Sequence, residues 1–88
     1  MKKRRTNPKL GALYIEVVEN QLRDNNPPET RITFERLRRE GYDESNSKRL
    51  IATVIAAETF WIMKTEQPFN NERFVRNLNR LPTSPQEE

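Results

Sequence analysis

The sequence contains neither cysteine nor histidine. Without cysteine the chain can form no disulfide, no thiolate metal site and no cysteine nucleophile. Without histidine it lacks the usual general base, the commonest ligand of transition metals and the usual pH switch. Its serines therefore have no partner base, and no glycine-rich phosphate loop is present. We expect a protein that is not an enzyme, has no cofactor, and has little room for a pocket of useful size.

Long apolar runs are also missing. The longest mainly apolar stretch, residues 50–63, is interrupted by Thr53, Glu58 and Thr59, and is too short and too polar to span a bilayer. No apolar run follows the basic start of the chain before Pro8, unlike the pattern of a signal peptide. With 88 residues, the chain is expected to be one soluble, cytoplasmic domain.

The positive charge is concentrated at one end of the chain. The net charge is +3, but the first nine residues carry five positive charges and no negative one. Such a segment attracts nucleic acids and other anions without reading a sequence, and it also occurs as a solubilising arm. The candidate contacts for a nucleic acid or another anion are Lys2, Lys3, Arg4, Arg5 and Lys9.

Apolar residues recur at helical spacing in four segments, and no segment alternates as a strand would. We predict an all-α fold, a compact bundle of about four helices with steep crossings. Residues 1–7 are expected to be a disordered basic tail, residues 8–81 a single helical domain, and residues 82–88 a flexible acidic tail. The third helix is apolar nearly all round, which is typical of the central helix of a bundle.

Capping residues predict where these helices begin. Asn7 is suited to cap a first helix that ends near residue 24, and Asn26 to cap a second helix with Pro27 at its first position. Gly41 is suited to end that second helix. Asp43 or Ser45 is expected to cap the third helix, which reaches to about residue 66.

A fourth helix is predicted after Pro68. Asn70 is suited to cap it, and Phe69 to pack against Phe74 as a hydrophobic staple. Pro82 is expected to end it.

Two polar residues lie within the predicted apolar faces. Glu58 falls in the middle of the apolar arc of the third helix, and Gln21 takes a similar position on the first helix. A carboxylate there must be paired, hydrogen-bonded or protonated. We expect Glu58 to be buried, with Gln21, the Tyr14 hydroxyl or an arginine such as Arg36 or Arg76 as partner, or to face a wet groove. Glu58, Gln21 and Tyr14 are the buried polar candidates.

A functional carboxylate is the alternative interpretation of Glu58. Together with Glu16 and Glu19 it could supply oxygen ligands to a hard metal ion. Di-iron bundles, however, need paired Glu-x-x-His motifs, and this chain has no histidine. We predict no metal ligands, and a carboxylate metal site is the second alternative function.

The segment from Arg36 to Arg49 has the outline of a helix-turn-helix. Leu37 stands where that motif needs a small residue, and Glu40 where it needs an apolar one. Acidic Asp43 and Glu44 would repel phosphates at the start of the recognition helix. A helix terminator explains the glycine more simply.

Four short segments resemble a group of small bacterial helical proteins of unknown function: residues 17–22, 27–30, 33–37 and 41–42. The likeness extends from about residue 13 to residue 81 and draws attention to Glu19 and Gln21. It implies a bacterial, cytoplasmic, helical protein and supplies no activity. Members often carry histidines on the helices that match the first and third here, so any role of those histidines is lost in this chain.

These observations favour a non-enzymatic protein-interaction or regulatory domain. Phe60 and Trp61 point in different directions from the third helix, so one of them is expected at the surface. Phe60 and Met63 are the candidates for a partner-binding face. A protein that associates with nucleic acid through its basic tail is the first alternative function. The oligomeric state is left open.

Overall fold

The computed structural model describes residues 8–87, with side chains from residue 11 onward. It contains four helices, α1 (Pro8–Asp24), α2 (Pro28–Arg39), α3 (Glu44–Thr65) and α4 (Asn71–Arg80). The predicted all-α bundle is confirmed. Over the same residues there is no strand, and no helix combines the length and apolar character needed to cross a membrane.

Helix α3 is the centre of the bundle because it packs against each of the other three helices. Every helix contributes to one core, in which the most deeply buried side chains include Val18, Leu37, Ile51, Val54 and Leu78. Burying one such side chain contributes about 2 kcal/mol. The apolar residues that recur at helical spacing in the four segments therefore pack into a single core, with α3 at its middle.

Two of the predicted caps are present. The Asp43 carboxylate accepts a hydrogen bond from the backbone N–H of Asn46 at 2.7 Å, and the Asn70 side chain accepts one from the N–H of Arg73 at 3.0 Å. The rings of Phe69 and Phe74 lie 5.5 Å apart between centroids, so the predicted staple also forms. Local sequence therefore fixes the starts of α3 and α4.

The start of α2 differs from the prediction. Its N-cap residue is Pro27 rather than Asn26, the helix begins at Pro28, and no side chain caps it. The reason is the double proline, because a residue that precedes proline is pushed out of the helical region. Pro27 accordingly has an extended backbone, with φ −81° and ψ 154°.

Gly41 ends α2 as predicted. Its φ of +106° lies in the region that favours glycine, and the next residue, Tyr42, donates its N–H to the carbonyl of Leu37 at 3.1 Å. This closes the turn into α3. At the α2–α3 junction Gly41 therefore acts as a helix terminator. The proposed capping residue of α1, Asn7, lies outside the described residues.

The segment after α4 makes contact with that helix. The flexible acidic tail expected over residues 82–88 stays a prediction, and within it the backbone of Gln86 makes two hydrogen bonds to the buried side chain of Asn77. The composition of the tail gave no reason for this contact. The partner is a polar residue of α4 whose amide is turned inward.

The cap of α4 can be tested with adjacent asparagines. We expect Asn70→Ala to lower the free energy of unfolding by about 1 kcal/mol, because the side chain satisfies an otherwise unpaired N–H of the first turn. Asn71→Ala is the matched control and should leave stability nearly unchanged, since Asn71 is exposed and already helical. Urea denaturation at pH 7 measures both. Equal effects of the two substitutions would contradict the assigned cap.

Candidate functional site

Glu58 is buried on α3 and forms an ion pair with Arg73 of α4. Only 3% of the residue is exposed to solvent. Arg73 donates from Nε to Glu58 Oε1 at 2.9 Å and from Nη2 to Oε2 at 2.8 Å. The backbone N–H of Asn70 donates to Oε2 at 3.0 Å. The carboxylate is thus held by three donors from the beginning of α4.

The environment of Glu58 has opposing effects on its acidity. Burial alone would raise the pKa of the carboxyl group, because it disfavours the charged form. The hydrogen bonds from Arg73 and Asn70 and the charge of Arg73 outweigh burial, so the pKa is lowered overall. The same pairing raises the pKa of Arg73. Glu58 is therefore a charged structural carboxylate.

The burial of Glu58 and its pairing with an arginine follow the prediction, but the arginine differs from the two examples named. The cation is Arg73, and not Arg36 or Arg76, while neither Gln21 nor the Tyr14 hydroxyl bonds to this carboxylate. Arg36 instead donates to the carbonyl of Leu78 at 3.0 Å and pairs with Glu40. The sequence placed Arg73 at helical spacing with other arginines, and nothing in that spacing showed which arginine turns inward.

Gln21 and Tyr14 have separate roles in the packing. The Gln21 side-chain oxygen accepts a hydrogen bond from the Thr30 hydroxyl at 2.7 Å, which joins α1 to α2. Thr30 is fully buried. Tyr14 is half-buried and packs against the core. The three buried polar candidates therefore do not come together in one polar cluster.

Arg73 also contacts two groups beyond Glu58. Its guanidinium lies 5.0 Å from the ring centre of Trp61, and its Nη1 donates to the carbonyl of Glu87 at 3.3 Å. Trp61 is buried, whereas Phe60 is exposed, so the expected contrast between these neighbours is confirmed. One guanidinium thus joins α3, α4 and the last described residues.

A cleft of about 390 Å³ opens beside Glu58, between the α1–α2 and α3–α4 junctions. Its volume falls within the range of small-molecule sites, although the cleft is half open to solvent. Since the Glu58 carboxylate is held by its donors, the cleft offers amides, a hydroxyl and apolar walls. The lining residues are Gln21, Asn26, Pro27, Ile55, Glu58, Thr59, Ile62, Phe69, Asn71 and Phe74.

A second concavity, here called the α1–α3 groove, has a volume of about 600 Å³. Small residues are prominent in it, so little side-chain bulk separates the two helix backbones from solvent. Residues of both helices line it: Gly11, Ala12, Tyr14, Ile15, Arg49, Ala52, Thr53 and Ala56.

Phe60 and Met63 continue the α3 side of this groove. They stand four and seven residues after Ala56 and therefore lie on the same helix face. Their exposed fractions are 57% and 75%, which is high for large apolar residues. On α1, Leu13 and Val17 are also exposed and lie one turn apart, but neither lines the groove.

The charged residue in the groove lining is basic, and a second basic residue lies nearby. Arg49 lines one end, and the Lys64 ammonium lies 5.7 Å from the ring centre of Phe60. Lys9 lies in the first turn of α1, but its side chain is not among those described. Lys2, Lys3, Arg4 and Arg5 lie outside the described residues, so their predicted contacts with anions stay predictions.

The carboxylates do not assemble a metal site in the part of the chain that the structure describes. No group of three or more histidine, cysteine, aspartate or glutamate residues is close enough to hold an ion there. Glu58 is engaged by Arg73, and Glu19 pairs with Lys48 at 3.3 Å. Two of the carboxylates that the sequence offered as metal ligands are therefore already engaged in ion pairs.

Comparison with known proteins finds no matching family model, no matching curated protein and no matching solved structure. The resemblance to small bacterial helical proteins stays a prediction. Function is therefore argued from the surfaces described above.

Replacing Glu58 by glutamine tests the charged state of the buried pair. At pH 7 we expect Glu58→Gln to lower the free energy of unfolding by about 3 kcal/mol, because Arg73 is left without its counter-charge. The folded-state pKa of Glu58 is lowered, so its contribution is full above the unfolded value of about 4.3 and disappears as the pH falls through the folded value. Urea denaturation at pH 7, 4 and 3 measures this difference.

The difference between the wild type and Glu58→Gln should shrink steadily below pH 4.3 or so. Glu72→Gln is the matched control, since Glu72 is an exposed acid on the same helix, α4, as Arg73. A difference that stays constant down to pH 3, or grows, contradicts the lowered pKa.

Proposed function

We propose that this chain is a non-enzymatic, cytoplasmic protein-interaction or regulatory module that binds a partner through the α1–α3 groove. The observation that carries the proposal is the continuation of the groove into exposed Phe60 and Met63. Large contiguous apolar surfaces on soluble domains mark binding sites more often than chance exposure does.

The partner that suits this groove is an amphipathic helix with acidic residues at its edges. Glycine and alanine in the lining allow a helix to approach closely, and side chains at positions i, i+4 and i+7 can enter the concavity. Arg49 and Lys64 at the groove complement acidic residues beside the apolar face of such a helix.

A model peptide tests this proposal directly. We expect a synthetic helical peptide, with leucine at i, i+4 and i+7 and glutamate on both flanks, to shift the backbone amide NMR signals of Gly11, Ala52 and Ala56. A double variant, Phe60→Ser with Met63→Ser, should weaken binding at least tenfold, because truncation of central apolar contacts commonly costs more than about 1.4 kcal/mol.

Ile32→Ser provides the matched control. Ile32 is 62% exposed but belongs to α2 and is not part of the groove lining, so its replacement should leave the affinity unchanged. A scrambled peptide of equal composition should not bind. If the signals that move lie outside the groove, or if Ile32→Ser weakens binding as much as the double variant, the proposed surface is wrong.

Association with nucleic acid through the basic start of the chain is a second candidate function. The charge asymmetry supports it, since the first nine residues hold five of the sixteen basic residues and no acid. Binding by such a segment is electrostatic and falls steeply with salt.

A salt titration separates this candidate from the first. If the tail binds duplex DNA, replacement of Lys2, Lys3, Arg4 and Arg5 by serine should remove most of the dependence of log K on log salt. That slope is about −4.5 when roughly five phosphates are contacted. Fluorescence anisotropy at about 50 and 200 mM salt measures it. No binding at the lower salt concentration, or a slope that the substitutions leave unchanged, contradicts the candidate.

A further inference from the structure

Asn77 of α4 makes an unusual use of a buried amide. The residue is 1% exposed, and both polar atoms of its side chain face the main chain of one residue near the C-terminus. Its Nδ2 donates to the carbonyl of Gln86 at 2.8 Å, and its Oδ1 accepts from the Gln86 N–H at 2.8 Å. The amide therefore pairs with a peptide backbone as a neighbouring β-strand would.

The residues on either side of Gln86 are also held. Pro85 is half-buried, while the rest of the segment from residue 82 to residue 87 is exposed. Arg73, one turn before Asn77 on α4, donates to the carbonyl of Glu87 at 3.3 Å. The segment is thus placed by a backbone pair and an arginine, with a half-buried proline beside them.

The side chain of Gln86 takes no part in this recognition. Its amide donates to the Ser84 carbonyl within the same segment, at 3.3 Å, and the residue is exposed. Asn77 therefore reads the main chain, which every residue except proline presents in the same way. Glu87 adds a favourable charge interaction with Arg73.

We propose that Arg73 and Asn77 form a binding site for an extended peptide of the pattern proline, any residue, acidic residue. In this structure the chain's own segment, Pro85, Gln86 and Glu87, occupies the site as an internal ligand. A buried amide left without partners loses the hydrogen bonds that water would give it, so the site favours an occupant. An external peptide with the same pattern takes the place of the segment when the segment is released.

This site is separate from the α1–α3 groove, and the proposal does not rest on the function assigned to that groove. Because the segment is tethered only a few residues after α4, its effective concentration at the site is in the millimolar range. An external peptide therefore binds weakly to the unaltered chain. Binding of an external peptide becomes measurable when a substitution weakens the hold of the site on the internal segment.

Two substitutions at residue 86 distinguish main-chain from side-chain recognition in the full chain. Gln86→Pro removes the N–H that Asn77 accepts, whereas Gln86→Ala keeps the N–H and removes only the side chain. The probe is a fluorescein-labelled peptide, Pro-Thr-Ser-Pro-Gln-Glu-Glu, which has the sequence of residues 82–88. Binding is followed by fluorescence anisotropy.

We expect Gln86→Pro to bind the probe at least tenfold more tightly than the wild type, which corresponds to the loss of one well-made hydrogen bond by the internal ligand. Gln86→Ala should bind it as weakly as the wild type. Adding Asn77→Ala to Gln86→Pro should abolish the gain. Far-UV circular dichroism establishes that each variant keeps its helices.

A modified probe keeps the test independent of whether Asn77→Ala folds. A peptide methylated on the amide nitrogen of its glutamine lacks only the donor that Asn77 accepts, so it should bind Gln86→Pro at least tenfold more weakly. The proposal is overturned if Gln86→Pro gains no affinity, if Gln86→Ala gains as much, or if the methylated peptide binds equally well.

Discussion

The ion pair between Glu58 and Arg73 is the constraint on which one end of the bundle depends. Taking two charges out of water is costly, and their attraction offsets that cost only when the geometry is good and further hydrogen bonds complete it. Here two guanidinium donors and the N–H of Asn70 complete it. Because the arginine lies near the start of α4, the pair fixes where that short helix begins relative to α3. Through Trp61 and the carbonyl of Glu87, the same guanidinium also orders its surroundings.

The two surfaces that we connect with binding use different chemistry. The α1–α3 groove is apolar with basic groups at its edges, so it favours burial of side chains from a partner and discriminates by shape and charge. The site on α4 reads a peptide backbone through Asn77 and gains little from the side chain that it clamps. In our proposals, one surface selects the side chains that a partner displays along a helix face, and the other selects the backbone and the charge of an extended segment.

The helices could be predicted from sequence because their causes are local. Apolar spacing defined the faces that share one core, and the carboxylate of Asp43 and the amide of Asn70 cap the residues that follow them. The start of α2 was misplaced because the second proline restricts the first, which outweighed the capping capacity of Asn26.

The contacts made by polar side chains could not be predicted in the same way. Burial of Glu58 followed from its position in an apolar arc, but the choice of Arg73 depends on the path by which α4 returns along α3. Asn77 gave no signal at all, since an asparagine among charged residues on a strongly amphipathic helix has the pattern of an exposed residue. Its role depends on a proline-containing tail that composition described as loose.

The multiple contacts of Arg73 restrict which residue can stand at this position. A lysine carries the same charge but has neither the planar fork that pairs with both oxygens of Glu58 nor the flat surface that stacks on Trp61. The ion pair therefore defines a spacing in the sequence: a glutamate, an asparagine twelve residues later, and an arginine three residues after that. Searching other sequences for this spacing, at the end of one apolar helix and the start of a short amphipathic one, offers a way to recognise distant chains with the same helix pair.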